Sequence, residues 1–193
     1  SGQTKMTSHI DAFAESALKF NRAYTPSAMC GPSRGALYSG PYSLKNGLHA
    51  NHWKYKKEKV TLPNYFTKLG FESILVGENH VSSKGNKHYK WNERLNNEQS
   101  IAGDPSKHRT FNDEKIMQRL KDLQKNKKPF MMVYGSHLPH APFIQVPYKG
   151  FERYEASNRY TDDEFGRFLA ILDELKLSEN TVITHISDHG AKG

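Results

Sequence analysis

The chain has 193 residues, of which 36% are hydrophobic and 25% are charged, and its formal net charge is +8. This length supports one domain with its own core, and no apolar run approaches the ~20 residues of a transmembrane helix. The sequence therefore excludes a membrane-spanning helix, and its single cysteine excludes an internal disulfide. The positive charge favours anionic partners without choosing among sulfated or phosphorylated substrates, nucleic acid and acidic membranes.

The chain before residue 73 predicts three helices and one strand. Apolar residues at spacings of three and four predict a helix over residues 9–18, followed by a strand over residues 19–24. Pro32 suits the first turn of a second helix. Residues 62–69 predict a third helix, which ends at Gly70 because glycine is favoured just after a helix.

The chain from residue 73 onward predicts strands and longer helices. Residues 112–126 carry apolar side chains on one face and predict an amphipathic helix. Residues 161–164 form a capping box that predicts the start of another helix. The polar stretch 81–109 shows no period and predicts an excursion over the surface. Three short apolar runs predict buried strands, over residues 73–77, 130–134 and 181–186.

Helices that alternate with short apolar strands predict an α/β protein, with a mostly parallel sheet sandwiched by helices. Ligands of such sheets bind beyond the carboxyl ends of the strands. Reactive residue types follow each predicted strand, in segments 30–34, 78–80, 136–142 and 188–190. The sequence therefore predicts one functional edge of the sheet.

Cys30 has several interpretations when it is taken alone. A position near a helix start favours a thiolate, which suggests a cysteine nucleophile that attacks phosphate. The three residues between Cys30 and Arg34 are too few for the anion-wrapping loop of a cysteine phosphatase. The plainer interpretation is a buried cysteine packed as a small hydrophobic residue.

The segment CGPSR at residues 30–34, followed by Leu37 and by Ser39 and Gly40, resembles the signature of type I sulfatases in the alkaline phosphatase superfamily. Three other segments resemble motifs of the same family in the same order, at residues 7–14, 136–143 and 187–190. The resemblance implies an alkaline-phosphatase-like fold. It also implies that residues 1–193 are a fragment of the N-terminal catalytic domain, incomplete at both ends and without the C-terminal subdomain.

The resemblance implies that a maturation enzyme, which reads Pro32 and Arg34, oxidises Cys30 to formylglycine. One hydroxyl of the hydrated aldehyde attacks the sulfur of a sulfate ester, and the other later expels sulfate as the aldehyde reforms. Arg34 holds the nucleophile and neutralises charge near it. The implied activity is that of a sulfuric ester hydrolase acting on a sulfated carbohydrate.

The resemblance also assigns roles to five other residues. His140 contacts the sulfate and protonates the leaving oxygen, and His80 bonds to the formylglycine diol. His137 either contacts the substrate or only shapes its loop. Asp188 and His189 bind the family metal, calcium, for which the carboxylate is the better ligand. Without the motifs, a lone histidine is more often structural, and an aspartate beside a glycine more often forms a turn.

The chain departs from the family pattern at several points. Glu78 stands where the family has a lysine that pairs with sulfate; it turns away, or Lys84 substitutes for that lysine. The family's upstream Asp-Asp pair and a downstream lysine are absent from this chain. His49 and His52 lie in a segment similar to heparan-type sulfatases and sulfamidases, and they line the substrate pocket or belong to a plain surface loop.

These observations leave three hypotheses for function. The first is a formylglycine sulfatase that acts on a sulfated carbohydrate. The second is a catalytically impaired relative that binds sulfated glycans, and the third is a related phosphodiesterase or phosphonate hydrolase. Nucleic-acid binding has only the positive charge in its favour, because the sequence contains no recognisable module for it. The chain shows no signal peptide, and the family resemblance implies a secreted, periplasmic or lysosomal protein.

Overall fold

The computed structural model describes residues 6–51, 53, 60–77, 81, 91–95, 112–140 and 153–190. The chain divides into two compact units. One unit comprises Ser1–Asn21, Asn96–Asp122 and Ser136–Val182. The other comprises Arg22–Leu95, Leu123–Gly135 and Ile183–Gly193. The sheet and the signature segment both belong to the second of these units.

Among the described residues, the sheet contains three parallel strands, β1 (Glu72–Gly77), β2 (Glu93–Leu95) and β3 (Phe130–Gly135), in the order β2-β1-β3. Ile74 of β1 is in register with Glu93 on one side and with Met132 on the other. The central strand is buried along most of its length, which explains its continuous apolar run. The parallel order confirms the predicted strands at 73–77 and 130–134 and the predicted sheet type.

In the part of this unit that the structure describes, three helices accompany the sheet: α2 (Cys30–Ser39), α3 (Ser43–Asn46) and α4 (Leu62–Lys68). Pro32 lies in the first turn of α2, and Gly70 after α4 has a φ of +88°, so both helix predictions are confirmed. The unit's core is a buried cluster of Tyr38, Leu48 and Val81, and the half-buried Leu62, Trp91 and Val133 pack against it.

The other unit pairs α1 (Ser8–Ser16) with α6 (Arg153–Glu174), which a short 3₁₀ turn at Ser178–Asn180 follows. The predicted helix over 9–18 is confirmed, with its end two residues earlier. The carboxylate of Asp162 on α6 accepts hydrogen bonds from the backbone N–H groups of His9 (3.0 Å) and Ile10 (2.8 Å). These two donors have no partner within their own helix, so a side chain from α6 caps α1.

Helix α5 (Asp113–Lys125) confirms the predicted amphipathic helix, and it continues from one unit into the other. Its apolar face is buried at Ile116, Leu120 and Leu123. None of the described helices is both long enough and apolar enough to cross a membrane.

Two strand predictions are wrong. Residues 19–24 and 181–186 form no strand, and most of their apolar side chains are exposed. Tyr24 is 89% exposed and Val182 is 96% exposed. Strand-forming residues stabilise a strand only where a neighbouring strand satisfies the backbone and covers the side chains. In the described part of the chain, no strand pairs with either segment.

Two other predictions about local structure need correction. Helix α6 is already formed at Arg153, so the capping box at 161–164 lies inside it, and the Thr161 hydroxyl donates to the Ser157 carbonyl oxygen (3.0 Å). The polar stretch 81–109 is not wholly a surface excursion. Its described residues include the buried Val81 and the strand β2, while most of the stretch lies outside the described residues.

We predict that Gly77→Ala destabilises the protein far more than Gly70→Ala. Both glycines have positive φ, +76° and +88°, which alanine adopts at a cost. A Cβ at Gly77 would also overlap the carbonyl oxygen of Gly135 on β3, whereas a Cβ at Gly70 meets nothing within 4 Å. We expect losses of about 3 kcal/mol for Gly77→Ala and about 1 kcal/mol for Gly70→Ala in urea unfolding. Equal losses would contradict the close approach of β1 and β3.

Candidate active site

The site begins at the first turn of helix α2. Cys30 is the first residue of the helix, and Arg34 lies four residues later, so the two side chains lie on one face. Cys30 is partly buried. The N-terminal end of a helix carries partial positive charge and therefore favours an anion close to Cys30.

Arg34 binds Asp188, which lies shortly after residues 181–186. The Arg34 Nε atom lies 2.8 Å from the Asp188 Oδ2 atom, and the two side chains are only 15% and 22% exposed. Burial by itself would raise the pKa of Asp188, but the hydrogen bond and the charge of Arg34 outweigh it and lower that pKa. Asp188 is therefore a carboxylate at neutral pH, and the structure brings two predicted site residues together.

Two hydroxyl groups hold the backbone of Asp188 against α2. The Ser33 hydroxyl donates to the Asp188 carbonyl oxygen. The Thr25 Oγ1 atom lies 2.7 Å from the same carbonyl oxygen and 2.7 Å from the Ser33 Oγ atom. The sequence reasoning missed both roles, because serine and threonine are too common in loops for their presence to indicate such a contact.

His189 contacts the signature cysteine. Its Nε2 atom lies 3.0 Å from the Cys30 Sγ atom, and its Nδ1 atom lies 2.7 Å from the Gly190 carbonyl oxygen. A carbonyl oxygen can only accept, so Nδ1 carries the proton of the neutral ring and Nε2 accepts from the thiol. The residue that the resemblance assigns to the metal thus touches the nucleophile position.

The surroundings of Cys30 disfavour a thiolate. Burial raises the pKa of its thiol, the negative charge of Asp188 raises it further, and the positive charge of Arg34 only partly opposes them. The thiol is therefore protonated at neutral pH, which argues against a cysteine that attacks phosphate directly.

Cys30, Asp188 and His189 are also a possible metal-binding group, since their donor atoms all lie within 4.8 Å of one another. Calcium takes about six to eight oxygen ligands. This group offers one sulfur, one nitrogen and one carboxylate, and Arg34 already engages an oxygen of that carboxylate. These residues by themselves do not fit calcium, so we assign no catalytic step to the ion.

Asn51 reaches the residue after the cysteine. Its Oδ1 atom accepts a hydrogen bond from the Gly31 backbone N–H (2.8 Å), whereas the N-cap residue Met29 provides no side-chain cap. Sequence reasoning missed this contact because Asn51 lies 20 positions from Gly31, outside any local capping pattern. His49, on the same loop, is exposed, and its ring centroid lies 5.4 Å from that of Trp53.

His137 and His140 belong to the other unit and lie close to each other. Their ring centroids are 5.6 Å apart, and the His140 backbone N–H donates to the His137 carbonyl oxygen (3.1 Å). The preceding Ser136 donates to the buried carboxylate of Glu164 (3.2 Å). This turn holds the two predicted histidines together, and their roles toward substrate stay predictions.

Three predicted site residues, Glu78, His80 and His52, lie outside the described residues, as does Lys84. The predicted contacts of Glu78, His80 and His52 with substrate or nucleophile therefore stay predictions.

The chain is similar to known proteins along its whole length. The family described as Sulfatase matches residues 1–193. An ulvan-active sulfatase of Formosa agariphila is 30% identical, over 97% of this chain and 40% of the relative. Iduronate 2-sulfatase of Homo sapiens is 24% identical, over 94% of this chain and 50% of the relative. The chain thus spans half or less of the length of these curated relatives.

A solved structure shows the same fold. The PsFucS1 sulfatase from Pseudoalteromonas sp. superposes with a TM-score of 0.71 at 19% identity, covering 90% of this chain and 48% of that one. This similarity confirms the predicted alkaline-phosphatase-like α/β fold.

We predict opposite shifts of the Cys30 thiol pKa in two variants of the unmodified protein. Asp188→Asn removes a negative charge and lowers the pKa, and Arg34→Met removes a positive charge and raises it. The pH dependence of alkylation by iodoacetamide measures both. Lys68→Met, which removes an exposed charge outside this cluster, is the control and leaves the profile in place. Shifts in the same direction for both variants would contradict the arrangement.

Proposed function

Because the chain belongs to the sulfatase family, we propose that it is part of the catalytic domain of a sulfuric ester hydrolase that cleaves sulfate from a sulfated carbohydrate. The observation that carries the proposal is the signature segment at the start of α2, where Cys30 contacts His189 and Arg34 contacts Asp188. Carbohydrate names among the relatives, ulvan and iduronate, support the substrate class. The proposal assigns residues 1–193 to the N-terminal catalytic domain.

The proposed nucleophile is formylglycine, made from Cys30 by a maturation enzyme. A protonated, partly buried thiol is a poor nucleophile, whereas a hydrated aldehyde at the same position has two hydroxyl groups that need polar partners. Arg34, Asp188 and His189 supply such partners. One hydroxyl attacks the sulfur of the ester, and the other gives up its proton when the aldehyde reforms and sulfate leaves.

Each residue that surrounds residue 30 has a proposed task. Arg34 stabilises the negative charge that gathers near residue 30. His189 presents Nε2 to the group at residue 30 and can accept its proton. Ser33 and Thr25 hold the Asp188 backbone in place.

The predicted substrate-side residues keep the tasks that the family resemblance implies. His140 protonates the leaving oxygen, which suits a histidine near neutral pH. His80 bonds to the diol. His137 and His52 contact the substrate, and Glu78 is the substrate-side residue that stands in place of the family lysine.

Calcium stays part of the proposal only as the ion that the resemblance predicts. Asp188 would give it one carboxylate, and His189 a nitrogen that suits a hard cation less well. Conversion of Cys30 to formylglycine would replace the sulfur donor with oxygen. The resulting set of ligands would match the preference of calcium for oxygen more closely. The proposed location is secreted, periplasmic or lysosomal.

We predict that Cys30→Ala lowers kcat of the full-length protein by at least about a thousandfold, because no other group can form the sulfated intermediate. Sulfate released from sulfated oligosaccharides, quantified by ion chromatography, is the measurement. Lys68→Ala, an exposed residue outside the site, is the control and keeps wild-type turnover. A Cys30→Ala protein that is as active as the control would contradict the proposal.

One observation favours the second candidate, an impaired relative that binds sulfated glycans. Glu78 replaces the family lysine, and a carboxylate repels sulfate. We expect the wild-type protein to release sulfate and to prefer sulfate esters to matched phosphate esters. Binding of heparin-like glycan without release, together with activity that appears in Glu78→Lys, would establish the impaired relative instead. A preference for the phosphate ester would favour the third candidate, a phosphodiesterase or phosphonate hydrolase.

A further inference from the structure

Residues 46–51, which we call the strap, begin at the C-terminal end of α2 and return to its N-terminal end. The strap starts at Asn46, whose side chain is 0% exposed. The Asn46 amide donates to the Pro41 carbonyl oxygen (3.0 Å) and toward the Ser39 hydroxyl (3.4 Å). Its Oδ1 atom accepts from the Leu48 N–H (2.8 Å). These bonds fix where the strap begins.

The middle of the strap is pressed onto α2 at Gly35. The Leu48 side chain is fully buried in the core beside Tyr38. A Cβ at Gly35 would overlap the Leu48 Cδ1 atom, so glycine at this position lets the strap approach the helix closely.

The strap ends at the nucleophile. Asn51 accepts a hydrogen bond from the Gly31 N–H. The strap thus contacts three residues of α2 that are spaced four apart and therefore lie on one face of the helix: Ser39, Gly35 and Gly31. Pro32 has no N–H, and the Ser33 N–H already donates to the Met29 carbonyl oxygen. Asn51 thus accepts a hydrogen bond from the N–H of the peptide bond that joins residue 30 to residue 31.

We propose that Asn51 is a positioning residue for the nucleophile. Its hydrogen bond fixes the peptide bond after residue 30, and so holds the side chain of residue 30 between Arg34 and His189. A neutral amide caps the helix without adding charge beside a group that attacks an anion. An aspartate would cap equally well but would place a negative charge one peptide bond from the attacking atom. The inference rests on the proposed sulfatase activity.

The test compares Asn51→Ala and Asn51→Asp in the full-length, matured protein. Asn51→Ala loses the bond, so we expect kcat to fall between about ten- and a hundredfold with KM changed less than about twofold. Asn51→Asp keeps the cap, so we expect a melting temperature within about 2 °C of wild type. We also expect this variant to show a KM for sulfate esters that is about tenfold higher, because of charge repulsion.

Asn112→Ala is the matched control. Asn112 caps helix α5 by accepting the Lys115 N–H (2.9 Å), so its loss removes an asparagine cap of the same kind outside the site. We expect a lower melting temperature and unchanged kcat. Equal kcat in wild type and Asn51→Ala, or an equal loss in Asn51→Ala and Asn112→Ala, would overturn the positioning role alone. A wild-type protein that releases no sulfate would overturn the proposed function, and this inference with it.

Discussion

The ion pair between Arg34 and Asp188 is the contact on which the rest of the site depends. It joins the nucleophile helix to a loop 154 residues later, and both side chains are largely buried. Removing either partner would leave the other charge partly buried without compensation, which is strongly unfavourable. With the pair in place, the Asp188 backbone meets α2, and the next residue, His189, faces Cys30. The Asn51 contact also fixes the start of this helix, from a loop 20 residues later in the chain.

The parts of the fold that the sequence predicted correctly are those whose apolar pattern matches their own burial. The amphipathic pattern of α5 and the continuous apolar run of β1 each match buried positions. Residues 19–24 and 181–186 also contain apolar residues, but a strand depends on a partner that local sequence does not specify. The short strand β2 was missed for the opposite reason, because its two charged residues and one leucine, all half-buried, pair with β1 without any apolar run.

The site residues that belong to short motifs could be predicted, whereas contacts that depend on how distant segments pack together could not. Cys30, Arg34, Asp188 and His189 were identified from two short motifs, and the structure places all four in contact. The contact between His189 Nε2 and Cys30 could not be predicted, because it depends on how a loop near the C-terminal end of the sequence packs against helix α2. Asn51 was not predicted as a site residue, since no local sequence pattern indicates a cap supplied across 20 residues.

The central claim is that residue 30 is a formylglycine held by Arg34 and its partners. The most direct test is the mass of peptide 23–34, which trypsin releases by cutting after Arg22 and Arg34, from protein purified from its native host. The account predicts the mass of a peptide with formylglycine at residue 30. An unmodified cysteine in all of the peptide would contradict the account, because the protonated thiol that this environment maintains cannot carry the proposed reaction.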